Sequence, residues 1–110
     1  MRDFIPKSIK VGKGTWRVKF TGEDGMDALA EEHGFTGELE GVCLYESQEI
    51  YLLDTLSGVD LIDAFTHELL HALHHTYDFK MPHSLVYALG THGGRLVYDN
   101  FLKKTKPRRR

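Results

Sequence analysis

The stretch Ser57–Asp78, SGVDLIDAFTHELLHALHHTYD, decides how this chain is read. Its apolar residues recur at helical spacing and predict a helix over about residues 59–78. At about 100° per residue, Leu61, Ile62, Phe65, Leu69, Ala72 and Leu73 share one arc of roughly 120°. His67, His71, His74 and Asp78 fall within a second arc of roughly 60° on the far side. Ser57 with Asp60 matches an S-x-x-D start signal, which predicts a side-chain cap on the first turn. A core-facing stripe and a histidine-bearing stripe on one helix are what an element lining a cleft requires.

Within that helix His67-Glu68-Leu69-Leu70-His71 is an H-E-x-x-H pentapeptide. Histidines four apart project from the same face one turn apart, so both imidazoles can reach one ion. Glu68, beside the first of them, can take a proton from a metal-bound water without itself binding metal. This pattern predicts a zinc-dependent hydrolase acting on peptide bonds. A catalytic zinc needs a third protein ligand and one open position. No glutamate follows Glu68, which excludes a third ligand of that type downstream. His74 and Tyr77 stand where the elongated H-E-x-x-H-x-x-G-x-x-H motif has Gly and His, so that motif is absent too. His74 is a turn further along the same helix, and Asp78 lies about 10 Å along its axis from His71. His92, flanked by glycines and from a separate segment, is the favoured third ligand, with His83 as runner-up. Asp63 or Asp78 could orient a ligand histidine through its second ring nitrogen. Tyr87, His83 and Tyr98 are available to hydrogen-bond a developing oxyanion.

Outward from the helix, the N-terminal half reads as strands. Residues 8–20 predict a hairpin: Ile9 and Val11 lead into Gly12-Lys13-Gly14, after which Trp16, Val18 and Phe20 alternate with Arg17 and Lys19. Residues 25–33 predict a short helix stopped by Gly34. Residues 42–46 and 49–53 predict a second hairpin, and Val42–Tyr45 is the candidate sheet edge. On the C-terminal side, Lys80-Met81-Pro82 is expected to break the long helix. A second helix is expected over 83–89. Gly90-Thr91-His92-Gly93-Gly94 is expected to interrupt it, because each glycine costs stability inside a helix. Helical spacing resumes over residues 96–102. The expected fold class is α+β: a small, mostly antiparallel sheet packed against the H-E-x-x-H helix and a second, C-terminal helical segment.

At 110 residues the chain suits a single domain, here residues 1–102, followed by a basic tail over 103–110. The net charge of −2 conceals an asymmetry. Residues 1–102 hold eight Lys/Arg against sixteen Asp/Glu, while Lys103, Lys104, Lys106, Arg108, Arg109 and Arg110 crowd the end. Such a tail is either a solvated terminus or a sequence-independent contact with nucleic acid. No apolar run approaches the roughly 18 residues of a membrane span, so no membrane partner is expected. Cys43 stands alone, which excludes an internal disulfide and a cysteine-based zinc site, and a reducing, cytoplasmic setting is expected. The competing functional reading is a metal-stabilised binding or regulatory module without catalysis, associated with nucleic acid through the tail.

Residues 42–94 resemble minimal zincin metallopeptidases of the SprT-like type, including small phage and bacterial forms. The resemblance rests on Ile50-Tyr51-Leu52 ahead of a helix carrying Thr66-His67-Glu68-Leu69-Leu70-His71-Ala72, followed later by His92-Gly93. It implies a peptide or protein substrate, a Zn2+ cofactor held by His67, His71 and His92, and Glu68 as catalytic base. It also implies that substrate binds as an added strand along a sheet edge. The spacing from His71 to His92 is longer than in that family, and the family's zinc-ribbon cysteines are absent.

Overall fold

The computed structural model describes residues 4–77 and 82–102, with backbone alone at 101 and 102. It is an α+β arrangement in which a four-stranded sheet is covered on one side by the long helix. The elements run β1 (Ser8–Val11), β2 (Gly14–Thr21), α1 (Glu23–His33), β3 (Gly41–Leu44), β4 (Glu49–Leu53), α2 (Gly58–Thr76) and α3 (His83–Val97), closed by a π-helical turn at Tyr98–Leu102.

The sheet order is β1-β2-β4-β3. Both sequence hairpins form and are antiparallel, with Ile9 opposite Trp16 and Cys43 opposite Ile50. Gly12 turns the first of them at φ +64°, a left-handed conformation that only glycine adopts without steric cost. The two hairpins join through a parallel pairing of β2 with β4, Val18 opposite Ile50 and Phe20 opposite Leu52. A parallel pair needs a crossover, and α1 with β3 supplies it. The helix α1 starts two residues earlier than its apolar spacing suggested, and Gly34 ends it in the left-handed conformation, donating its N–H to the carbonyl of Ala30.

Alternation in β2 and β4 sorts the side chains. Trp16, Val18, Ile50 and Leu52 are buried against Leu61, Ile62, Ala64 and Ala72 of α2, and Phe65 and Leu69 pack on the same core. Truncating any of the large, fully buried members to alanine would cost on the order of 2–5 kcal/mol. Leu73 departs from expectation: it closes the predicted core arc but is 38% exposed. Ser57 does occupy the N-cap position, yet its side chain makes no capping hydrogen bond. On the opposite sheet face Glu49 accepts from Lys19 Nζ at 2.8 Å and from Arg17 Nη2 at 3.2 Å across the parallel pair, and from Ser47 Oγ.

The C-terminal half differs from its sequence reading in one large respect. The glycine-rich run does not interrupt a helix; α3 is continuous from His83 to Val97. Its packing supplies the reason. A Cβ on Gly90 would lie 3.2–3.3 Å from the backbone and Cβ of His67. One on Gly94 would lie 2.5 Å from Asp63 Oδ1 and 3.1 Å from Asp63 Cα. Val86, Gly90 and Gly94, four apart and all buried, form the stripe on which α3 meets α2. Each glycine costs roughly 1 kcal/mol of helix propensity, and the close approach it permits recovers dispersion along the whole contact. Lys80 and Met81 of the expected helix break, like Asp78, lie outside the described residues, while Pro82 stands at the N-cap of α3.

Candidate metal centre

The meeting of α2 and α3 brings three histidines together. Ligand-capable nitrogens of His67, His71 and His83 all lie within 4.8 Å of one another. His67 Nε2 and His71 Nε2 face each other at 3.2 Å, as expected for side chains one helical turn apart that converge on one point. The His83 ring stands 5.2 Å from that of His67 and 5.5 Å from that of His71. Its placement follows from the helix. Pro82, which has no N–H to lose, precedes the first turn, and His83 lies seven residues before Gly90, nearly on the same face at 100° per residue.

The histidine that the structure brings to His67 and His71 is therefore His83, the runner-up, and not His92. In a continuous helix, nine residues carry a side chain about 180° around the axis, so His83 and His92 cannot both face α2. His92 is exposed and belongs to no ligand-capable cluster among the described residues. The His92-Gly93 pair of the family pattern thus does not join this site.

Burial lowers the proton affinity of two of the three rings. His71 is pulled down to about 4, first by burial and then by its neighbours His67, His74 and His83. His67 is lowered for the same leading reason, with a contribution from His83. Both rings are thereby held neutral, the form that binds a metal ion. Neutral nitrogen donors converging from two helices, two of them half-buried, fit a zinc ion chemically.

Glu68 lies beside them, 6% exposed, its carboxyl pushed up to about 8 by burial. It faces the start of β3. A Cβ on Gly41 would stand 3.0 Å from both Cγ and Oε2 of Glu68, so any larger residue here would press on the carboxylate. Nothing in the local sequence around Gly41 signals that requirement. The strand is held there by Tyr45, whose ring stacks on His75 of α2 at 4.1 Å and 9° and meets Trp16 edge-on at 6.3 Å.

The histidines and Glu68 open into a cleft of about 910 Å³ that follows β3 as far as Leu29 and Phe35. As expected, β3 is a sheet edge. The carbonyl of Glu40 accepts from Leu53 N–H at 2.9 Å, and antiparallel pairing alternates, so Val42 and Leu44 spend their backbone groups on β4. Gly41 and Cys43 therefore turn theirs outward. Cys43 is a free thiol, raised by burial and by the nearby Glu68.

Asp63 does not orient a ligand. Its Oδ1 is buried against α3 with no hydrogen-bond partner among the described residues, and burial raises its carboxyl while Arg95 and His92 oppose the shift. Of the tyrosines considered, Tyr87 stands edge-on to His67 at 6.3 Å, whereas Tyr98 packs against the core. No protein family, curated protein or solved structure matches this chain.

Proposed function

We propose that this protein is a zinc-dependent metallopeptidase related in design to the SprT-like zincins, with His67, His71 and His83 as zinc ligands and Glu68 as general base. The observation that carries the reading is the convergence of three imidazoles next to a buried glutamate, in a cleft bounded by an open strand edge. Zinc in such a site supplies a Lewis acid that polarises the scissile carbonyl and acidifies water.

The chain's own residues do the rest. An extended peptide pairs with the outward backbone groups of Gly41 and Cys43, which makes recognition main-chain driven. That pairing lays the scissile bond across the histidines, and Gly41 keeps the path to Glu68 open. Glu68 ionises more readily beside a divalent cation than its burial alone allows. As a carboxylate it takes a proton from the attacking water and returns it to the leaving amine. Of the tyrosines considered, Tyr87, whose ring stands edge-on to that of His67, is the one near the histidines whose hydroxyl can be offered to the developing oxyanion. A reducing, cytoplasmic setting suits the free thiol of Cys43 beside the site; among the described residues no helix is long and apolar enough to cross a membrane.

The test is zinc content and hydrolysis measured together on the full chain. Purified protein should carry one zinc per chain and cleave an unfolded, fluorescently labelled protein, and chelation should abolish cleavage until zinc is restored. Stoichiometric zinc with no cleavage would favour a structural metal module, and no zinc would remove both readings.

A further inference from the structure

One polar contact at the cluster has no part in gathering the ligands. His71 Nδ1 lies 3.2 Å from His74 Nε2, while the other nitrogen of the same ring, Nε2, faces His67 Nε2 at the same distance. The two ring nitrogens of an imidazole point in divergent directions, so His74 cannot share an ion with His71 Nε2. It is excluded as a ligand by the very geometry that brings it close.

We propose that His74 is the positioning residue that fixes the tautomer and rotation of His71, a role that rests on the metal centre inferred above. For Nε2 of His71 to offer its lone pair to an ion, the ring proton must sit on Nδ1. That N–H then needs an acceptor, and the atom within reach is Nε2 of His74, whose own proton must lie on its Nδ1. The i to i+3 spacing on α2 supplies the contact without any long-range element, since side chains three apart are neighbours on a helix. Ligand histidines almost always donate their second N–H to a fixed acceptor, commonly a carboxylate or a backbone carbonyl. Here the acceptor of His71 is a ring nitrogen of His74. Asp63, the carboxylate on the same helix that sequence spacing offers for this task, is turned instead toward Gly94.

The experiment uses full-length protein and zinc itself. Zinc affinity is measured by competition with a chromophoric chelator for wild type, His74→Ala, His74→Phe and His74→Gln. The expected result is a loss of about 10–100-fold for the Ala and Phe variants, as for other partners of this kind. His74→Gln, whose side-chain carbonyl can accept from His71 Nδ1, should recover most of that loss. Thermal midpoints of the metal-free proteins should stay together, which separates ring orientation from a general structural role. In zinc-loaded wild type, ¹⁵N resonances should show His71 protonated at Nδ1 and metallated at Nε2. Wild-type affinity in His74→Ala and His74→Phe, absence of rescue by Gln, or an Nδ1-metallated His71 each overturns the proposal. If wild-type protein binds no zinc at all, the metal centre itself fails, an outcome distinct from those three.

Discussion

His83 and His92 sit on the same helix, nine residues apart, and meet opposite fates. The first reaches across to His67 and His71; the second is exposed on the far side of α3. Their immediate surroundings would suggest the reverse, since His92 is flanked by glycines that permit close approach and His83 follows a proline. The difference lies in what the glycines are for. Gly90 and Gly94 admit the backbone of α2 rather than an ion, and in doing so they keep α3 straight and in contact. A straight helix has one face toward its neighbour, and His83 is on it.

Four measurements would break or sharpen that contrast. The largest effect belongs to the residue both histidines were to serve: Glu68→Gln should lower kcat by about 10²–10⁴-fold, the usual range for a general base, with zinc content unchanged. Full activity in that variant would end the hydrolytic reading whichever histidine completes the site. Next, His83→Ala should weaken zinc binding by more than the ~10–100-fold typical of an outer partner, whereas His92→Ala should leave affinity within about twofold. The opposite ranking would restore His92 and require α3 to be broken in solution.

Metal removal comes third. Because zinc would link α2 to the first turn of α3, wild-type protein at free zinc about 100-fold above its Kd should gain about 2.7 kcal/mol over the metal-free form, read as a higher thermal midpoint. His83→Ala should lose most of that gain and His92→Ala should keep it. The smallest effects test the glycines. Gly93 has nothing within 4 Å of an added Cβ, so Gly93→Ala should stabilise the protein by about 0.5–1 kcal/mol through helix propensity. Gly94→Ala gains the same propensity but meets the backbone of Asp63, and overpacking of about 1–3 kcal/mol should make it a net loss. Denaturant unfolding of the two variants side by side checks the sign of each.

The legible parts of this chain were those whose signals are local. The period-two pattern of Trp16, Val18 and Phe20 and the stripe from Leu61 to Ala72 each report which side of an element is apolar, and the sheet and α2 follow. The H-E-x-x-H pair was legible because four residues of helix fix the relative placement of two side chains. The parallel pairing of β2 with β4 was not, since its partners are separated by α1 and β3 and no turn residue announces it. The continuity of α3 is hidden from the sequence for a related reason. Glycine's helix penalty is a property of the residue, whereas its compensation here belongs to α2. The expectation for His92 depends on that break: with one at residues 90–94 His92 is free to turn inward, whereas the continuous α3 brings His83 to His67 and His71 instead. The spacing of Gly90 and Gly94 on the Val86 stripe was the available clue. Ser57 shows the opposite limit, a correct boundary whose expected hydrogen bond does not form.

The shortness of β3 acts as a ruler. Its four residues extend roughly 13 Å at about 3.3 Å each, and the loop beyond it, with Gln48 in a left-handed conformation at φ 55°, turns the chain away from the edge. A polypeptide laid along this edge can be gripped over only a few residues before the track ends. For the proposed peptidase, such a grip would suit a brief hold on any stretch of chain that is already unfolded and long enough to lie flat, and it would give the cut ends little reason to stay.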